Sequence, residues 1–279
     1  MKYVSSKIYD KKYYTSVCLG SHEFNQSSGK KLHPSIEKLL SKLKITSNAK
    51  ILDLGCGRGD ITLFLANRTK ETIGIDYSKE AILIANNIKK KFPKKIQKKT
   101  HFYRMRAEKL KFPDNYFDLV ICIDLFEHIS KEELEVVLKE ISRVLKRNGI
   151  LFVHTGTNKL LNDFTYKYYI LPMDRFLTSI DKKIKQVSYD PLPKDPRTSA
   201  EKEQHINEPN YFYLSNLFKH HNFNGKIEIE IGYRRPVKNI RSILYNFLTT
   251  LFPLSKFYPL SLLFGWAFVC TMRNDKSKD

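Results

Sequence analysis

The chain has no Cys-x-x-Cys pair. Its four cysteines, Cys18, Cys56, Cys122 and Cys270, are scattered, which argues against a zinc knuckle or a disulfide framework and suits a reducing compartment. No metal site is therefore expected. The first ten residues hold no apolar stretch of the secretory kind, so the chain reads as cytoplasmic. Acid is scarce: 29 Asp and Glu stand against 49 Lys and Arg, a formal charge of +20. Such an excess invites a phosphate-bearing partner through counterion release. The lysines, however, occur as runs without interleaved aromatics, at Lys89-Lys90-Lys91, Lys94-Lys95 and Lys98-Lys99. Runs of that kind read as solvated helix surface, so no specific nucleic-acid partner is expected. No internal repeat is visible, which sets a solenoid aside.

What is present is a chain of 279 residues with 42% hydrophobic content, enough for one α/β domain with an elaboration. Strands are expected at Ile51–Leu54, Thr72–Asp76, Phe102–Met105, Phe117–Ile123 and Ile150–His154, from short apolar runs that stop at turn residues. Helices fall between them, at Ile61–Ala66, from Ser78 to about Lys91, and from a Ser130–Glu133 capping box to Lys146, where Asn148-Gly149 is expected to end it. Alternation of this kind predicts a doubly wound, mostly parallel sheet. The order breaks down over 158–204, read as a cap or lid over the sheet, with Pro191 to Pro196 unable to form a regular element. It returns with a helix near Tyr211–His220 and strands at Lys226–Ile231 and Trp266–Met272. The expected divisions are an N-terminal helical segment at 1–48 that closes over the ligand site, a core at 49–157, the cap at 158–204, and a C-terminal part of the sheet at 205–279.

The run Asp53-Leu54-Gly55-Cys56-Gly57-Arg58-Gly59 ends the first strand in alternating glycines, at the carboxyl edge where open α/β sheets bind ligands. Completing a dinucleotide fingerprint needs a glycine or alanine at position 60, and the residue there is Asp60, which disfavours NAD or FAD. Asp53 before the first glycine would repel a pyrophosphate and suits a cation. Asp76, closing the second strand, stands where a carboxylate can take both hydroxyls of a ribose. A ligand with a ribose, a positive centre and no phosphates is wanted, and S-adenosylmethionine (SAM) has all three.

These motifs, with Gly74-Ile75-Asp76-Tyr77-Ser78 and Phe117-Asp118-Leu119-Val120, resemble class I SAM-dependent methyltransferases of the Rossmann-like seven-stranded fold. Phe126-Glu127-His128-Ile129 and Arg143 to Gly149 resemble the small-molecule branch that includes ubiquinone and menaquinone methyltransferases. The resemblance implies that Gly55, Cys56, Gly57 and Gly59 pass under the amino-acid end of SAM, with Asp53 supporting the loop. Asp76 would bind the ribose and Tyr77 would pack on the adenine. Ala107 and Glu108 would meet the adenine amino group, although Arg106 stands where the family has an acid. Asp124 and Leu125 would line the methyl-transfer face, with His128 as candidate base and His154 and His205 in reserve. Tyr13 and Tyr14 are read as surface packing, with closure over SAM as the alternative. The implied acceptor is a small or lipid-linked metabolite, methylated on oxygen or carbon. An RNA methyltransferase and a non-catalytic SAM-fold binding protein remain the alternatives.

One long apolar stretch remains. Leu244–Cys270 carries a single charge, Lys256, and is long enough to span a bilayer. Pro253, Pro259 and Gly265 interrupt it, so it is read as a hydrophobic insertion at about 236–265 plus a core strand. The alternative is a monotopic surface on the inner face of the membrane, aided by Arg234, Arg235, Lys238 and Arg241.

Overall fold

A short apolar run becomes a buried strand when helices cover both faces of its sheet. A computed structural model describes residues 4, 8–156, 158–185, 192–232 and 240–276. Its strands are β1 (Lys50–Leu54), β2 (Glu71–Asp76), β3 (Thr100–Arg104), β4 (Phe117–Ile123), β5 (Leu145–Thr155), β6 (Phe223–Glu230) and β7 (Ala267–Asn274). They form one seven-stranded sheet in the order β3-β2-β1-β4-β5-β7-β6. The first five run parallel, and β7 lies antiparallel to both β5 and β6. The order reverses beside β1, so the crevice between β1 and β4 is the switch point where such sheets take ligands.

Helices α1 (Ser21–Ser27) and α2 (Pro34–Leu40) precede the sheet. The crossovers contain α3 (Asp60–Ala66), α4 (Lys79–Lys89), α5 (Lys94–Lys99) and α6 (Lys131–Val144). Between β5 and β6 come α7 (Leu171–Lys185), α8 (Ser199–Gln204) and α9 (Tyr211–His220). Between β6 and β7 come α10 (Ile240–Thr250) and α11 (Leu260–Phe264). Alternate residues of each strand face opposite layers. Leu52, Leu54 and Val120 pack against Leu134, Val137 and Leu138 of α6, while Ile51, Leu119 and Ile121 pack against Ile36, Leu39 and Leu40 of α2.

Ser130 and Glu133 form the expected capping box on α6. That helix stops at Val144, two residues before the expected end, because the sheet takes over. Tyr116 donates its N–H to the Val144 carbonyl at 2.8 Å, and Leu145 already pairs with Phe117. Asn148, at φ 62°, turns inside β5 rather than ending the helix. The segment after β5 also departs from expectation. A π-helical stretch at Leu161–Ile170 runs directly into α7, where an irregular cap was expected. Apolar side chains occupy two faces of this stretch, Leu161 and Ile170 inward and Phe164 and Tyr168 outward, so no single stripe announces a helix. Pro191 and residues 233–239, with Arg234, Arg235 and Lys238, lie outside the described residues, as does the side chain of Arg241. The apolar stretch from Leu244 resolves into the rest of α10, α11 and the buried strand β7. Among the described residues no helix is long and apolar enough to cross a membrane.

Candidate functional site

The glycine loop leaves β1 and folds over the end of β2, where the N–H groups of Gly55 and Cys56 both donate to the Ile75 carbonyl at 2.9 Å. Gly55 (φ 78°) and Gly57 (φ 49°) are left-handed. A Cβ on Gly55 would meet Leu125 at 2.9 Å, and one on Gly57 would meet Tyr14 at 3.2 Å. The loop is therefore a cradle that only glycine leaves open. Asp76 ties it down: Oδ2 accepts from the Gly57 N–H at 3.0 Å and Oδ1 from the Ser78 N–H at 2.8 Å. Burial pushes the Asp76 carboxyl up to about 6, against the pull of those backbone donors.

Three cavities meet along this edge. One, of about 80 Å³, is walled by Asp76, Tyr77, Met105, Ala107, Glu108 and Leu125. The next, of about 210 Å³, takes in Gly55, Cys56, Gly57, Asp76, Tyr13 and Tyr14. The largest, of about 430 Å³, is walled by Asp124, Glu127, His154, His205, Glu230 and Trp266 among others. His128 borders all three. The first two have the right parts for a nucleoside: a carboxylate facing both cavities, an aromatic ring and an apolar floor. An open glycine cradle lies beside them. SAM fits this donor set without a phosphate site.

Two expected cofactor residues lie outside these walls. Asp53 is buried beneath the loop, and its Oδ2 accepts from the Thr62 hydroxyl at 2.5 Å. Burial, offset in part by Thr62, pushes it up to about 7; it supports α3 and does not face a ligand. Gly59 faces Phe102 and Ala85, which a Cβ would meet at 2.6 and 2.8 Å. It does the close helix packing that the dinucleotide fingerprint assigns to the next position. Arg106 bridges Glu108 at 2.5 Å and Glu133 at 3.3 Å on the edge of the smallest cavity. Burial would raise Glu108, but the Arg106 hydrogen bond prevails and holds it below the usual carboxylate range.

Tyr13 and Tyr14 line the crevice and are not surface packing. Their segment is held by Arg58, a residue the sequence reading passed over. Arg58 is buried, pairs with Asp60 at 2.9 Å, and donates to the Tyr14 and Leu19 carbonyls at 2.9 and 2.7 Å. Tyr9, also unforeseen, places its hydroxyl 2.9 Å from His128 Nδ1, which also lies 3.2 Å from the Gln204 carbonyl. Burial holds His128 below its ordinary value, so it is a neutral imidazole at neutral pH. Nothing local in the sequence signals either contact.

The largest cavity has an ionic wall. His154 Nδ1 sits 2.5 Å from Asp124, and its Nε2 lies 3.8 Å from Glu230. Burial alone would lower the imidazole, yet the hydrogen bonds to Asp124 and Glu230 raise it to about 10. His154 is thus an imidazolium and no base. Glu127, buried beside it, accepts from the Thr155 hydroxyl and the Gly156 N–H, and burial with the nearby Asp124 charge pushes it up. Glu127, His128 and His205 bring ligand atoms within 4.8 Å of one another, a donor set able to hold a divalent cation, where none was read from sequence.

A folded-state value above the unfolded one gives stability that is complete below about pH 6.5 and lost as pH rises towards 10. His154→Gln is therefore expected to cost more than about 1 kcal/mol at pH 7 and little near pH 10. Urea unfolding of parent and variant across this range checks it; parallel pH profiles would refute it.

Comparison with known proteins falls on the same residues. The methyltransferase domain family matches residues 52–153. A ubiquinone biosynthesis O-methyltransferase of Pelagibacter ubique is 33% identical over 129 residues, 46% of this chain and 50% of that protein. A demethylmenaquinone methyltransferase of Lactobacillus johnsonii is 32% identical over 45% of this chain and 52% of its own length. The chain thus spans about half the length of the curated relatives it matches. A solved SAM-dependent methyltransferase from Methanosarcina mazei, 21% identical, covers 88% of this chain and 98% of its own at a TM-score of 0.53, and shows the same fold. Loop, strand order and family match coincide, and residues 52–153 are a class I methyltransferase domain of the SAM-dependent type.

Proposed function

We propose that this chain transfers a methyl group from SAM to a small or lipid-linked acceptor held in the cavity of about 430 Å³. The observation that carries the reading is that this cavity shares Tyr13, Asp124 and His128 with the one that holds the glycine cradle and Asp76. When bound, SAM supplies a methyl group on a sulfonium, a leaving group already activated. The protein's share is then mostly alignment, which is worth several kcal/mol where the reacting atoms are held in line. Gly55 and Gly57 let the backbone approach, Asp76 accepts from the ribose hydroxyls, and Tyr77 with Ala107 packs the base. The imidazolium of His154 keeps Asp124 oriented in the wall between the cavities.

A base is needed when the acceptor is a hydroxyl. A proton on His128 Nδ1, directed at the Gln204 carbonyl, leaves Nε2 with its lone pair to take the acceptor's proton. Relatives named for ubiquinone and demethylmenaquinone methylation favour a ring-bearing acceptor methylated on oxygen or carbon. An RNA acceptor is disfavoured by the carboxylates Asp124, Glu127 and Glu230 in the wall, which repel phosphate.

Calorimetric titration with SAM and S-adenosylhomocysteine tests the reading, and binding of neither would refute it. The pH dependence is a sharper check. Only the ionised Asp76 accepts from both ribose hydroxyls, and burial holds it at about 6. Affinity for SAM should be level above about pH 7 and fall by about tenfold per pH unit well below 6. A flat profile down to pH 5 would remove Asp76 from this role.

A further inference from the structure

Two of the helices between β5 and β7, α7 and α10, carry their polarity reversed. On α10, Ile240, Ile243, Leu244 and Phe247 fall at i, i+3, i+4 and i+7, the spacing of one helical face. That face points outward, with exposures from 37% to 82%. The inward side of the same helix holds Asn246 and Thr249, both fully buried, and Thr250. Their polar groups are satisfied within the helix: Asn246 donates to the Ser242 carbonyl, Thr249 to Tyr245 and Thr250 to Asn246. Across the contact, the Tyr245 hydroxyl donates to Asp174, which is fully buried on α7.

The neighbours repeat the pattern. On α7, Asp174 and Thr178 face inward while Phe176 and Ile180 face solvent. Phe164 and Tyr168 extend the outward row into the preceding turns, and α10 packs against both elements. The turn between α10 and α11 adds Leu254, Phe257 and Tyr258, all more than half exposed. In water a helix with this distribution is upside down, and exposed apolar area of this kind marks a docking surface.

Charge says what docks. Among the described side chains, the exposed cations on these elements are Lys167, Arg175, Lys183 and Lys256. Among the described side chains their acids are the buried Asp174 and Asp163, which is paired with Lys159 and Arg197. A second copy of the chain would set like charges against each other, whereas an anionic lipid surface matches both the apolar rows and the cations. Since no described helix is long and apolar enough to span a bilayer, the fitting arrangement is a helix lying in the interface. We propose that α7, α10 and the turn after α10 dock this protein on an anionic membrane surface, with the outward side chains of Ile243, Phe247, Phe257 and Tyr258 among the headgroups.

This inference stands apart from methyl transfer, since vesicle flotation reads one and SAM calorimetry the other. The full chain is floated with vesicles of phosphatidylcholine alone or mixed with phosphatidylglycerol, at low and high salt. Binding is expected to the mixed vesicles, weakened by salt. The paired substitutions Ile243→Ser with Phe247→Ser, and Phe257→Ser with Tyr258→Ser, should each weaken it about tenfold or more, with SAM affinity unchanged. Should a serine pair fail to fold, Lys167→Glu with Lys256→Glu carries the same test. No binding to phosphatidylglycerol vesicles at low salt overturns the proposal. So does binding that survives every variant, or a dimer in sedimentation that the serine pairs abolish without any vesicle binding.

Discussion

Asp76→Ala should weaken SAM binding at least a hundredfold. Two hydrogen bonds from ribose hydroxyls to a carboxylate are worth about 1.5–3 kcal/mol each, and every 1.4 kcal/mol or so is a factor of ten in affinity. The loss has a second source, because the same carboxylate accepts from the Gly57 and Ser78 N–H groups. Without it the cradle loses its tether, and two buried donors are left unpaired at about 1–3 kcal/mol each. Stability should therefore fall together with affinity. Asp76→Asn separates the two effects, since an amide oxygen can still accept one backbone bond while the charge is gone. Calorimetry and urea unfolding on both variants give the answer. An alanine variant that binds SAM within about threefold of the parent would show that the ribose is held elsewhere.

Arg58→Met should destabilise the fold by about 3–5 kcal/mol, the cost of stripping one partner from a buried ion pair. Three interactions go at once: the pair with Asp60, and the bonds to the Tyr14 and Leu19 carbonyls. The guanidinium also lies 4.6 Å from the Phe24 ring centroid, so α1 loses a contact as well. Arg58→Lys keeps the charge but not the fork that reaches two carbonyls and a carboxylate, and should fall between parent and methionine variant. Hydrogen exchange adds location: amides from Tyr9 to Leu19 should lose protection first. A methionine variant within about 1 kcal/mol of the parent would contradict this.

The strands that carry the cradle were legible because each is a short apolar run closed by a glycine or an acid. Boundaries moved by a few residues where the sheet claimed the chain early, as at Leu145. Asp76 and the loop glycines were legible for the same reason: their chemistry is set by residues next to them. The wall of the largest cavity was legible only in part: Asp124, His128, His154 and His205 were singled out, but not the ion pairing among Asp124, His154 and Glu230. Asp124, His154 and Glu230 come from the ends of three strands, and Glu230 alternates with Ile229 as an ordinary solvent-facing residue would. Its partner is chosen by the antiparallel β6–β7–β5 pairing, which local pattern cannot report. Asp53 and Gly59 illustrate the converse. Both sit in the motif, yet one bonds α3 and the other makes room for Phe102, so membership of a motif did not decide what each touches. The apolar stretch that includes α10 was read as an insertion, with a monotopic surface as the alternative, because periodicity tells which residues share a face and not which way that face points.

The grip of Arg58 on the N-terminal segment runs through main-chain carbonyls, which every amino acid possesses. Such a hold is blind to side-chain identity. Residues 13–19, apart from Tyr14, whose ring lies against Gly57, can therefore diverge without loosening this hold, while the side chains of Tyr13, Val17, Cys18 and Leu19 border the largest cavity. The molecule thus separates what must be inherited from what is free to drift. The cofactor end we propose is fixed by a glycine loop and two charged residues, and the proposed acceptor end is bordered by a strap held through its backbone.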